Sequence, residues 1–420
     1  MHPFAIIALV LILARLATEL WLSRLNQHHV RRHANEVPSV FRGIIDDTTY
    51  RRSVDYTTAK SRFGDIVNLF DAVLLIAVVF SAVLPWAFGK FVASVGTSTL
   101  AMAGFLFLIG ITLSIPGLPF AWYAQFKIEQ RFGFNTTSMN TWIVDRIKGL
   151  LLAILLGYPL LVLVLKLIEW AGTNWWVWAA AVVIVFQLLL LLIAPAIIMP
   201  LFNKFTPLPE GGLRERLFAL ALRTHFSTRN IEVMDGSKRS SHSNAFFTGL
   251  GRFRKIVLFD TLVAQLTETE VESVLAHEIG HYKKHHVLKL LGVSLVGTVM
   301  AFAAIAWLAR QQWFYDAFGF EHQTGFAAPN VVPAMLLFAL LAGTITYWVS
   351  PLIHIWSRHF EYEADAFAAA TMGETQSLIQ ALRKLSEKNL SNLLPHPLYS
   401  GFYYSHPTLL ERERALEIAA

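Results

Sequence analysis

The sequence predicts an all-α integral membrane protein with seven transmembrane helices and a small cytoplasmic α+β region, on three observations. Hydrophobic residues make up 55% of the 420 residues and charged ones only 15%, with a mean hydropathy of +0.49, a composition foreign to soluble domains. Long apolar runs alternate with polar stretches at 24–62, 203–286 and 357–420. Lysine and arginine, finally, crowd into alternate loops. The absence of cysteine excludes disulfides, iron–sulfur clusters, thiolate metal sites and a cysteine nucleophile. The net charge of +6 lies in particular loops rather than in a patch interleaved with aromatics, so it reads as topology, and no nucleic-acid partner is expected.

Runs of about 20 apolar residues can cross a hydrocarbon core as helices. Seven occur, at Phe4–Leu22, Ile66–Phe88, Leu100–Trp122, Leu150–Trp170, Trp175–Met199, Val287–Leu308 and Val331–Trp356. The first follows Met1-His2-Pro3, without a basic leader or a small-residue cleavage site, and is expected to stay as a span. The first loop carries Arg24, Arg31, Arg32, Arg42, Arg51, Arg52, Lys60 and Arg62, and the third carries Lys127, Arg131, Arg146 and Lys148. The second has only Lys90, and 172–174 and 311–330 have no Lys or Arg. Positive charge stays inside, so the N-terminus is expected outside, with 203–286 and the C-terminal tail in the cytoplasm. Tryptophans 21, 86, 122, 170, 175 and 356 near span ends suit the aromatic belt. Arg15, Glu19, Asn68 and Asp71 fall inside spans; Arg15 and Glu19, four apart on one face, are expected to pair.

Thr267 followed by Glu270 has the form of a capping box and starts a helix that carries His277-Glu278-Ile279-Gly280-His281. Histidines four apart project from one helix face, so both imidazoles can reach one zinc ion. Glu278 points about 100° away, where it meets a water rather than the metal. Catalytic zinc needs a third protein ligand. The longer motif with Gly and His further on is absent, since Lys284 and Val287 stand there. His285 and His286 are expected at the membrane entrance and not on the metal, because one straight helix cannot wrap three ligands around a tetrahedral ion. Candidates for the third ligand lie after the last span, among Glu361, Glu363 and Asp365. Glu361 and Asp365 share a face, so one can ligate while the other holds a ligand histidine, whereas Glu363 points away toward solvent; position alone does not choose among them.

These segments resemble the type I CAAX prenyl proteases, seven-span membrane zinc endopeptidases, over nearly the whole chain. The resemblance takes in 123–129 and 132–137 after the third span, 200–205 after the fifth, 241–249, 255–262, the Glu361 segment, and Tyr404-Ser405-His406-Pro407 with Leu410-Glu411-Arg412. It implies that Glu361 joins His277 and His281 on one Zn2+ per chain, that Glu278 is the catalytic base, and that Asp365 supports a ligand. It also implies that Asn244, Ala245 and Phe246 belong to an edge strand holding an extended substrate, and that His406 and Arg412 lie near the catalytic centre, where a cationic or N–H donor steadies an oxyanion.

The fold implied is a ring of seven helices around a hollow chamber, capped by the protease elements. The chain then divides into spans 1–5 at 1–202, a protease region at 203–286, spans 6 and 7 at 287–356, and a C-terminal helical region at 357–420. The partners expected are the lipid bilayer and a peptide or protein substrate, prenylated or not. The tail lacks a dilysine-type signal and the loops are compact, which favours a bacterial cytoplasmic membrane and leaves the CAAX substrate open. Two other readings compete: a quality-control protease acting on misfolded or stalled membrane proteins, and, from another class, a transporter with structural zinc. The transporter reading lacks the paired repeats such folds show.

Overall fold

A computed structural model describes residues 1–38, 41–226, 230–248, 255–321 and 327–419. Gly249 of the expected substrate segment and 322–326, between the last two spans, lie outside the described residues.

Among the described residues, six helical stretches are long and apolar enough to span a membrane: Pro3–Arg32, Asp47–Phe80, Thr99–Phe132, Met139–Phe202, His286–Leu308 and Ala328–Met372. The fourth has 64 residues. As a straight helix it would be about 96 Å long, three times a hydrocarbon core. It instead turns back at Gly172–Asn174, where Gly172 adopts φ +53°, a left-handed conformation that suits glycine. The legs on either side pack on each other, so the seven expected spans are all present.

Several boundaries differ from the expectation. The second span ends at Phe80 rather than Phe88, because Ser81 is extended and Val83–Val95 forms a separate helix with Pro85 in its first turn. The polar stretch 24–62 is largely helical: the first helix runs on to Arg32, and the second begins at Asp47, capped by the Asp46 carboxylate on the Thr49 N–H. Hydropathy locates the part of a helix that is in lipid and misses the turns that project beyond it.

The spans pack tightly at one end only. Ala5, Val79, Met102, Phe105, Leu165, Trp175, Ile305, Phe314 and Leu337 form one buried cluster from the same end of all seven spans. Below it, the windows 57–71, 106–127, 139–163, 181–207 and 287–304 contain no buried residue. A solid bundle would bury the inner face of each. These helices therefore form a wall one helix thick around a hollow interior.

The chamber is closed at the other end by a second core. A four-stranded sheet, order β1-β2-β4-β3, comprises β1 (Phe205–Pro207), β2 (Asn230–Met234), β3 (Ala245–Thr248) and β4 (Lys255–Phe259). Only β2 and β4 run parallel, and β3 lies at an edge. Leu217, Leu220, Ile256, Leu258, Leu275 and Ile279 fill the space between this sheet and helices Gly212–Arg223 and Glu268–Lys283. The last span does not stop at the membrane. It continues as one 45-residue helix to Met372, about 68 Å, and so carries Glu361 and Asp365 into the second core.

Candidate metal centre and active site

The capping box forms as expected: the Glu270 carboxylate accepts from the Thr267 N–H at 2.8 Å and the Thr267 hydroxyl from the Glu270 N–H. Lys384 reaches Glu270 at 2.7 Å, and Arg216 and Arg223 both reach Glu272, so the first turns of Glu268–Lys283 are tied to helices on either side. The helix then meets the extension of the last span. A Cβ on Gly280 would lie 3.0 Å from Ala364 Cα and 3.1 Å from its carbonyl oxygen, so a missing side chain is what lets the two backbones approach.

That approach brings His277, His281 and Glu361 together. One ligand atom from each lies within 4.8 Å of the others. His277 Nε2 is 3.1 Å from His281 Nε2 and 3.5 Å from Glu361 Oε2, and His281 Nε2 is 3.3 Å from Glu361 Oε1. A tetrahedral ion with bonds of about 2.0–2.1 Å has ligand–ligand edges of about 3.3 Å. Glu361 Oε2 is buried without a hydrogen-bond partner, an orphan that a cation would satisfy. Two imidazole nitrogens and one carboxylate oxygen suit a borderline divalent ion with one position left open.

The surroundings hold these ligands. Asp365 Oδ1 lies 2.8 Å from His277 Nδ1, and Arg412 forks onto Asp365, with Nε 2.8 Å from Oδ2. The same guanidinium is 3.2 Å from His277 Nδ1 and 3.8 Å from Glu361. Burial opposes ionisation of Asp365, but Arg412 keeps its carboxyl below the usual range. Burial likewise opposes Glu361, yet His277 and His281 hold it well below a normal carboxylate. Burial and Arg412 work against a charged His277, and the carboxylates of Asp365 and Glu361 overcome them, pushing it up to about 9. The field at this point favours positive charge. The Glu278 carboxyl has no hydrogen bond to another described residue, and burial pushes its pKa up.

Arg412 reaches the site because its own helix, Leu409–Ala419, is pinned by Arg383 forked onto the buried Glu413 at 2.8 and 3.0 Å. His406 presents Nε2 3.4 Å from Glu361 Oε1 while its side chain stays 65% exposed, on the rim of a cavity of about 340 Å³ that Arg358 and Tyr404 also line. Of the residues expected on a substrate strand, Asn244 accepts two hydrogen bonds from the sheet: its carbonyl takes the Phe259 N–H, and its side-chain oxygen takes the Ala245 N–H at 2.8 Å. Ala245 and Phe246 open β3, which packs against the histidine helix. By antiparallel alternation from that Phe259–Asn244 bond, main-chain groups of Ala245 and Phe247 face the open sheet edge.

One expectation is corrected and another extended. His286 opens the sixth span, His286–Leu308, and in addition the chain turns at His285, φ +59°, so that His286 Nδ1 lies 3.0 Å from His281 Nδ1. Glu363 is not merely solvated, since it accepts from His286 Nε2 at 2.7 Å. Sequence reasoning also passed over Gly280. A glycine inside a capped helix was the available signal. The Arg15–Glu19 pair forms at 2.8 Å, as its spacing implied.

Comparison with known proteins follows the same segments. Residues 207–420 match the model of peptidase family M48, and residues 26–204 match CAAX prenyl protease N-terminal, five membrane helices. CAAX prenyl protease 1 of Saccharomyces cerevisiae is 39% identical over 407 residues, covering 91% of this chain and 88% of that protein. The CAAX prenyl protease 1 homolog of Homo sapiens is 30% identical over 435 residues, with 93% and 90% covered. The crystal structure of S. mikatae Ste24p superposes with a TM-score of 0.91 at 35% identity, covering 99% of this chain and 100% of that one.

Proposed function

Because this chain belongs to peptidase family M48, a family of metallopeptidases whose fold is here embedded in a membrane, we propose that it is a zinc endopeptidase cutting near the C-terminus of prenylated proteins. His277, His281 and Glu361 would hold the zinc, one per chain. The observation that carries the ligand set is the convergence of two Nε2 atoms, 3.1 Å apart, on the Glu361 carboxylate, with His277 3.5 Å from Oε2, His281 3.3 Å from Oε1, and Oε2 buried without a hydrogen-bond partner among the described residues. When bound, the ion supplies Lewis acidity and lowers the pKa of a bound water to about 7.

Glu278, its carboxyl raised by burial and without a hydrogen bond among the described residues, takes the proton of the attacking water and returns it to the leaving nitrogen. The open edge of β3 holds the substrate extended through main-chain bonds, with Asn244 at its start. His406, exposed beside Glu361, is the group placed to donate to the developing oxyanion, and Arg412 acts through Asp365 by holding His277. In this reading 1–202 and 287–356 build the chamber wall, and 203–286 with 357–420 supply the catalytic parts. The basic first and third loops place those parts in the cytoplasm. Compact loops suit a bacterial inner membrane as host. Prenylated CAAX substrates are what the names of its relatives imply.

Glu278→Ala is expected to retain zinc and lose 10²–10⁴-fold or more in turnover, roughly the contribution of a general base. His277→Ala and Glu361→Ala should lose the metal as well. Zinc content and cleavage of matched prenylated and unprenylated peptides in detergent check this. Wild-type turnover in Glu278→Ala overturns the assignment, and equal cleavage of both peptides removes prenyl specificity.

A further inference from the structure

We propose that His286 and Glu363 form a relay that fixes the tautomer and ring orientation of His281. The inference rests on the zinc-peptidase reading above and adds two positioning residues to it.

The proton placement follows from donor and acceptor chemistry. A Glu363 carboxylate can only accept, so His286 Nε2, 2.7 Å away, carries the hydrogen. A neutral imidazole with Nε2–H has a bare Nδ1. His286 Nδ1 faces His281 Nδ1 at 3.0 Å, so the hydrogen between them belongs to His281. His281 is then left with a bare Nε2, the atom 3.1 Å from His277 Nε2 and 3.3 Å from Glu361 Oε1. Asp365 reaches the same result directly on His277, because it accepts from Nδ1 at 2.8 Å. Both ligand rings therefore turn Nε2 inward, one through a carboxylate and the other through a histidine and a carboxylate.

The relay is built rigidly. His286 is 2% exposed and stacks on Phe360 with ring centres 4.2 Å apart and an angle of 10°. Phe360 precedes Glu361, so the element that brings the third ligand also supplies the surface against which the relay lies. The left-handed conformation at His285, uncommon for a residue with a side chain, is the turn that returns His286 to His281. Outer partners of metal-bound histidines fix tautomer and ring angle, and losing one costs about 10–100-fold in metal affinity.

Zinc dissociation constants, measured by competition with a chromophoric chelator on the full detergent-solubilised chain, test the relay. His286→Ala, His286→Phe and Glu363→Ala should each weaken zinc by about fivefold or more, while Glu363→Gln, whose amide oxygen still accepts, stays within that limit. His286→Phe preserves the stack on Phe360, so a purely packing role would restore wild-type affinity there and overturn the proposal. The double variant His286→Ala/Glu363→Ala should be no weaker than His286→Ala, because one broken relay cannot break twice; additive losses overturn the proposal. Glu363→Ala leaves the buried ring in place, and its metal-free thermal midpoint should match wild type; an affinity loss that merely follows a lowered midpoint also overturns it. Glu278→Gln serves as the separate control for the underlying reading. If wild type and Glu278→Gln bind no zinc, the peptidase assignment itself fails and takes the relay with it, an outcome distinct from wild-type zinc affinity in the relay variants.

Discussion

Glu278 has to be ionised to accept a proton, and its surroundings resist ionisation. Burial raises its pKa, with Glu361 adding to the rise and His277, His281 and Arg412 opposing it. A folded-state pKa above the ordinary carboxylate value of about 4.3 means that the neutral acid persists to higher pH. The acid limb of kcat/KM should therefore fall above that value, with activity rising as pH increases through it. The same sign predicts that this residue's contribution to stability declines as pH rises between its unfolded and folded pKa, since the folded state binds more protons there. Zinc content followed over the same pH range separates the limb from loss of metal. A limb at or below the value of an exposed glutamate, with zinc retained, contradicts the assignment.

At the scale of elements, the site exists because two helices touch at Gly280. Gly280→Ala sets a helix-propensity gain of about 1 kcal/mol against overpacking of about 1–3 kcal/mol. The atoms met are backbone, at 3.0 and 3.1 Å, so the helices rather than a side chain must move. Stability should change by no more than about 2 kcal/mol, whereas zinc affinity, which depends on Glu361 staying about 3.3 Å from the imidazoles, should fall clearly. Chelator competition and thermal unfolding on one preparation check both; unchanged zinc affinity would show that the close approach does not set Glu361. The sequence made the capped helix, the histidine spacing and the carboxylate candidates readable because periodicity and ligand chemistry are local. It did not show that Lys284 ends the helix and His285 turns the chain, so the contact of His286 with His281 was not legible. Nor did it show Glu363 turning to His286, because the partner lies 77 residues away. The span boundaries erred for two reasons: the first helix and the start of the second continue past the lipid, where hydropathy no longer marks them, and at Ser81 a helix breaks within a run that stays apolar.

The whole molecule is two bodies that must be held in register, a hollow ring of spans and a packed catalytic cap. Arg239 is a principal clamp between them. It lies five residues before Asn244, and its guanidinium binds Asp145 through two bonds, Nε to Oδ2 at 2.8 Å and Nη2 to Oδ1 at 3.0 Å. It also reaches Asn203 Oδ1 and the Phe202 carbonyl, at the end of the fifth span. Hydrogen bonding to Arg239 keeps Asp145 below the usual carboxylate range, so the clamp is intact above the unfolded carboxylate pKa and weakens as pH falls through the lower, folded value. Arg239 and Asp145 retain 24% and 23% side-chain exposure, which makes a loss of about 1–3 kcal/mol reasonable for Arg239→Ala, short of the cost of breaking a fully buried pair. The residues proposed to hold zinc sit on other elements, the helix 268–283 and the extension of the last span, so metal affinity should hold. What moves is the strand beginning at Ala245. Arg239→Ala should therefore raise KM for a peptide several-fold while zinc content stays at the wild-type level and kcat changes less. A variant with wild-type KM would show that the cap holds its substrate edge without this clamp. One that loses zinc would mean that ring and cap register through the metal ligands themselves.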